Sequence, residues 1–158
     1  MDNNKGKRIL KDNLGFSLVE LIVVVLIMAI IAVALAPQIL KWVNNSRIST
    51  DMQTKDSLAG LMSVTVLTNE AVNAVAKNQG AVLTVDGNGG TLEPKVPNDE
   101  TAFEDLKKKF FEYAGTDNLS DFKTKTSGGM ITITVSEDAA TITSVFTVNG
   151  NTIENVED

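Results

Sequence analysis

Leu21-Ile22-Val23-Val24-Val25-Leu26-Ile27-Met28-Ala29-Ile30-Ile31-Ala32-Val33-Ala34-Leu35-Ala36 is an unbroken run of sixteen Leu, Ile, Val, Met and Ala residues. Extended back to Phe16, the stretch covers 21 residues with a single charge, Glu20. As a helix rising ~1.5 Å per residue it reaches roughly 31 Å, the thickness of a bilayer's hydrocarbon core. The core helix of a globular protein carries a polar stripe on its outer face. This block has none, and the expectation is a membrane-inserted helix.

The flanks give it a direction. Residues 1–15 carry Lys5, Lys7, Arg8 and Lys11 against Asp2 and Asp12, a net of +2. The whole chain of 158 residues carries −6, so residues 16–158 hold −8. Positive charge stays on the cytoplasmic side of a span, which sends the acidic remainder across. Composition removes much chemistry from that remainder. There is no cysteine, hence no disulfide, thiolate nucleophile or zinc–sulfur site, and no histidine for acid–base work or metal ligation. An acidic chain without clustered Lys and Arg makes a poor nucleic-acid surface. The adjacent acids Glu137-Asp138 read more simply as a turn than as an acid–base pair, and no enzyme activity or cofactor is expected.

Three readings of the apolar block compete. A secretory signal peptide, cut after Ala36 at Ala34-Leu35-Ala36, would leave a soluble protein, but the block exceeds the usual ~7–15 apolar residues and Pro37 would follow the scissile bond. A plain signal anchor explains the block and its flank but not Glu20. A carboxylate in hydrocarbon costs roughly 2.5–3.5 kcal/mol on insertion scales and requires a partner or a purpose.

The third reading supplies one. Gly15-Phe16-Ser17-Leu18-Val19-Glu20-Leu21-Ile22-Val23-Val24, behind a basic leader and ahead of the apolar run, resembles the class III signal of type IV prepilins. The resemblance is specific over about residues 5–42. It implies cleavage after Gly15 by a prepilin peptidase, with Phe16 as the new and N-methylated terminus. Glycine before the bond suits a backbone threaded into a groove, because there is no Cβ to clash. Glu20 would pair with the Phe16 ammonium, since two charges in an apolar setting are tolerable only together. In the family that pairing runs between subunits and sets register; pairing within one helix, four residues apart, is equally open to the geometry. Pro37 stands where pilins often carry a helix-kinking proline.

The resemblance further implies a homopolymer extruded by an assembly platform and a cytoplasmic ATPase. The subunit would be a single-pass cytoplasmic membrane protein before assembly and part of an extracellular pilus afterwards, for adhesion or twitching motility. A pseudopilin of a secretion or DNA-uptake machine shares all these N-terminal features. The absence of cysteine departs from the many Gram-negative pilins whose C-terminal loop is closed by a disulfide, and leans toward Gram-positive members.

Beyond Pro37 the pattern stays helical. Residues 39–78 hold no proline and one glycine, Gly60, with apolar residues at Ile48, Met52, Ala59, Met62 and Val66 and at Leu58, Leu61, Val72 and Val75. Gly80 suits a left-handed cap at its end. A continuous helix from Phe16 to Asn78 would be roughly 94 Å long at ~1.5 Å per residue. Ala81–Val85 reads as a strand and Asp86-Gly87-Asn88-Gly89-Gly90 as a turn; glycine and threonine stand where a calcium loop needs other residues. Pro94 and Pro97 bound an irregular segment, and Thr101-Ala102-Phe103-Glu104 matches a capping box. Phe103, Leu106, Phe110 and Tyr113 then share a helical face, with Lys107, Lys108 and Lys109 outside it.

Ile131, Ile133 and Val135 alternate with threonines as a half-buried strand. Ile142–Val148 and Asn151–Val156 flank Asn149-Gly150, a two-residue hairpin signal that sets Thr147 opposite Thr152 and Phe146 opposite Ile153. The predicted organisation is a cleaved leader at 1–15, a transmembrane and filament-core helix at 16–41, an amphipathic continuation at 42–80, and a head at 81–158. That head would hold a helix at about 101–114 and antiparallel strands. The fold class is α+β: a long N-terminal helix, kinked near Pro37, laid by its second half on a small antiparallel β-sheet.

Overall fold

The apolar run does form a helix. In a computed structural model, which describes residues 16–96, 99–138 and 141–154, helix α1 extends over Leu18–Thr68. The chain divides into two units between Leu40 and Lys41. In the first, all described positions are exposed, the apolar ones included. This helix is long and apolar enough to cross a membrane.

The second unit holds the core. The later part of α1 turns Leu58, Met62 and Val66 inward, a spacing of four that keeps one helical face on its partner. Among the described residues five strands form one antiparallel sheet in the order β2-β1-β3-β4-β5: β1 Ala81–Val85, β2 Gly90–Glu93, β3 Gly129–Val135, β4 Ile142–Val148 and β5 Asn151–Thr152. Strand periodicity of two sends Ala81, Leu83 and Val85, Ile131, Ile133 and Val135, and Phe146 to the inner face. Register sets Leu83 beside Ile133 and Ile131 beside Phe146, so the apolar rows run across the strands. Helix α3, Glu100–Ala114, adds Phe103, Leu106 and Phe110 to the same cluster. Each fully buried side chain of this size contributes about 1.5–3 kcal/mol. The expected α+β class, with the second half of the helix on an antiparallel sheet, is what the chain adopts.

Four local expectations are corrected. The helix does not continue unbroken to Asn78. It stops at Thr68, and α2 spans Glu70–Gln79. Asn69 makes the break: its side-chain oxygen accepts from the amides of Ala71 at 3.0 Å and Val72 at 3.3 Å, capping the new helix. The residues before it, Val64-Thr65-Val66-Leu67-Thr68, are mostly β-branched and hold a helix weakly. Gly80 ends α2 at positive φ, +62°, but its ψ of −179° is extended and not left-handed helical, so the chain passes straight into β1.

The cap of α3 is Asp99, whose carboxylate accepts from Ala102 N–H at 3.1 Å; Thr101 already lies within the helix. Strand β2, four residues pairing with β1, was not expected at all. The last hairpin has the expected register, Thr147 opposite Thr152, with Asn149 and Gly150 both at positive φ as a type I′ turn requires. Ile153 N–H donates to the Phe146 carbonyl at 2.9 Å, while Val156 and Pro97 lie outside the described residues.

Candidate functional site

The first turn of α1 carries the charge that the apolar helix has to accommodate. Glu20 is exposed and sits on the third residue of the helix. Its Oε2 accepts the backbone N–H of Ser17 at 2.8 Å. In return the Ser17 hydroxyl accepts the Val19 N–H at 3.3 Å, and the Ser17 carbonyl takes the first helical bond, from Leu21 N–H at 3.1 Å. Ser17-Leu18-Val19-Glu20 has the spacing of a capping box, with the glutamate reaching back to the Ser17 amide and the serine taking the Val19 amide in place of the Glu20 one: both side chains satisfy amides that helix geometry leaves without partners. The negative carboxylate also lies at the positive end of the helix dipole.

Of the residues singled out in the sequence, Gly15 lies outside the described residues, as does all of 1–15. Phe16 precedes the helix and is 94% exposed. Glu20 is placed against the amide of Ser17, the residue next to Phe16, so the phenylalanine and the carboxylate share the same short stretch. Pro37 lies inside α1, and the helix runs through it. Without a proton on its nitrogen, Pro37 makes no bond to the Val33 carbonyl and leaves one gap in the ladder. Ser17 was missed in the sequence, although Ser-x-x-Glu ahead of an apolar run is a capping signature.

Several other charged groups are engaged in hydrogen bonds or ion pairs within the head. Asp51, on α1, is fully buried and was also missed; it follows Ile48 by three residues and so belongs to the inward stripe. Its two oxygens accept the amides of Lys125 and Thr126, each at 2.8 Å, tying the segment before β3 to the helix. Asp86 closes its own turn by accepting from Asn88 N–H at 2.7 Å and Gly89 N–H at 3.1 Å. Those backbone bonds hold its carboxyl below the ordinary value.

In the lysine run, Lys107 pairs with Glu104 at 2.8 Å and lies 5.5 Å from the centre of the Phe103 ring, and Lys109 pairs with Glu112. The Glu112 carboxylate beside it raises the Lys109 pKa, chiefly through their hydrogen bond. Shallow grooves of about 440 and 540 Å³ flank this pairing on α3, but among the described residues no three Asp or Glu converge on a metal site.

Residues 10–36 match the family described as "Prokaryotic N-terminal methylation motif". The match covers the amino-terminal end of the apolar helix, including Gly15, Phe16, Ser17 and Glu20. No curated protein and no solved structure matches the chain.

Proposed function

We propose that this chain is a pilin, the structural subunit of a type IV pilus. It is cut after Gly15 by a prepilin peptidase and N-methylated on Phe16. It is held in the cytoplasmic membrane by its apolar helix, then polymerised into a helical surface filament. One observation carries the reading. Over Leu18–Leu40 the helix behind a methylation-type N-terminus exposes every apolar side chain, from Leu18 at 73% through Val33 at 77% to Leu40 at 69%. Such a surface is stable only in lipid or against other copies of itself.

The same helix serves both environments in turn. In the membrane it spans the hydrocarbon; in the filament, neighbouring helices replace lipid. An assembly platform and a cytoplasmic ATPase supply the work of extraction. Glu20 has a purpose in the second state, where its carboxylate meets the Phe16 ammonium of an adjoining subunit and fixes the register of stacking. The acidic head stays outside and needs no cofactor; direct binding of nucleic acid by the bare subunit is not expected. The filament serves adhesion or twitching motility.

Filaments sheared from the cell surface and viewed by electron microscopy test the reading. Wild-type chain is expected in long fibres. Glu20→Val is expected to leave processed subunit in the membrane and no fibres; normal fibres from that variant would remove the register role. Only short, envelope-bound assemblies from the wild type would assign the chain to a secretion or DNA-uptake machine instead.

A further inference from the structure

The second unit opens on a segment whose charge is opposite to that of the rest. Lys41-Trp42-Val43-Asn44-Asn45-Ser46-Arg47 carries two cations and no acid, a net of +2. Residues 48–158 carry eight Lys against seventeen Asp and Glu, a net of −9. All of the seven positions except Asn45 are exposed, Trp42 at 62% and Val43 at 43%. Among the described residues neither Lys41 nor Arg47 enters an ion pair. Asp51, one turn past Arg47, has both oxygens on the amides of Lys125 and Thr126. Immediately before this segment, Leu21–Leu40 is a stretch of 20 residues without a charged side chain. As helix that is about 30 Å, one hydrocarbon thickness. Trp42 follows Leu40 by two residues, at most roughly 7 Å of backbone.

We propose that Lys41, Trp42 and Arg47 form a collar that binds the headgroups of anionic phospholipids on the head side of the membrane. The proposal rests on the membrane insertion described under the proposed function. At the edge of the hydrocarbon an indole keeps its ring among acyl chains and its N–H among polar groups. Lysine and arginine lay their stems on apolar chains and raise their charges to the phosphates. Each helical residue turns ~100° from the last, so Lys41, Trp42 and Val43 fan out around the helix. Lipid surrounds a helix on every side and meets all three, whereas a second copy of the chain covers one side. Helical side chains tilt toward the N-terminus, which brings the long Arg47 side chain back toward Val43, one turn before it. Charge selects the lipid. An anionic leaflet repels residues 48–158 and attracts the collar, so the collar is the part of this acidic unit that such a surface holds.

Trp42 is the chain's single tryptophan, so its fluorescence reports this position alone. Full-length chain is reconstituted into vesicles of fixed phosphatidylglycerol and phosphatidylcholine content, with bromine carried on one lipid or on the other. Bromine quenches an indole at short range, and the two series compare the lipids beside Trp42. Phosphatidylglycerol is expected there at roughly fivefold over its bulk share, the factor that one Lys or Arg near an anionic surface supplies. The double variant Lys41→Gln with Arg47→Gln is expected to remain quenched but to lose the preference, each lipid acting in proportion to its bulk share. Equal quenching of the wild type by both lipids overturns the proposal, as does a preference that survives in the double variant. Quenching by neither lipid overturns it too, and shielding of Trp42 that grows with the protein-to-lipid ratio would assign the collar to a second copy. In each of these cases the chain floats with the vesicles, and the membrane reading stands. A chain that does not float with them defeats that reading and the proposal together.

Discussion

Glu20 is engaged before any second chain reaches it. Its carboxylate holds the Ser17 amide at the start of its own helix, so the proposed pairing with a Phe16 ammonium would exchange one bond for another and would not rescue a bare charge. This separates two properties of the side chain. Glu20→Gln keeps an acceptor for the Ser17 amide and loses the charge. We expect it to be processed as wild type and to fail in assembly, as judged by N-terminal mass and by electron microscopy. Assembly by the glutamine variant would reduce Glu20 to a cap.

Asp51 works at the same scale in the head. Its removal strands two amides, those of Lys125 and Thr126, against a buried site. Asp51→Ala should cost about 2–4 kcal/mol, read as a lower urea midpoint for loss of head tertiary structure in the micelle-bound chain. A change under about 0.5 kcal/mol, the range of ordinary surface substitutions, would mean the clasp is idle. Neither Ser17 nor Asp51 emerged from the sequence, for different reasons. The Ser-x-x-Glu spacing was in plain view but was overshadowed by the glycine, phenylalanine and glutamate. The partners of Asp51 lie more than seventy residues away, and no local pattern carries such a contact.

At the scale of elements, the apolar period identified the helices and strands more securely than their ends. The inward stripe at Leu58, Met62 and Val66, the alternation at Ile131, Ile133 and Val135, and the Asn149-Gly150 hairpin were all legible because each is set by local geometry. The ends were decided by side chains competing for amides. Asn69 broke a helix that periodicity alone would have continued, and Asp99 took the cap assigned to Thr101. Strand β2 has only Leu92 on the core side, too little for a period to show.

The turn between β1 and β2 gives a pH prediction. The Asp86 carboxyl lies below its ordinary 3.8 in the folded chain, because backbone amides of Asn88 and Gly89 bond its ionised form. Its contribution is therefore whole above 3.8 and is lost as pH falls through the depressed folded value. An NMR titration of the Asp86 carboxyl should show a midpoint below 3.8, with the Asn88 and Gly89 amide shifts following the same curve. A midpoint at or above the ordinary value would contradict the turn as described.

For the molecule as a whole, the two units have opposite requirements. Among the described residues the head closes a core of sixteen buried apolar side chains, whereas the amino-terminal part of α1 buries none of its own. Under the proposed function that helix is covered first by lipid and then by other subunits. The charges divide along the same line, a +2 leader ahead of the helix and −8 on all that follows. The central claim is that the leader is removed and the helix kept. Mass spectrometry of the mature chain's N-terminal peptide tests it most directly. The account predicts a chain beginning at N-methylated Phe16; a chain beginning at Pro37, or one that keeps residues 1–15, would contradict it.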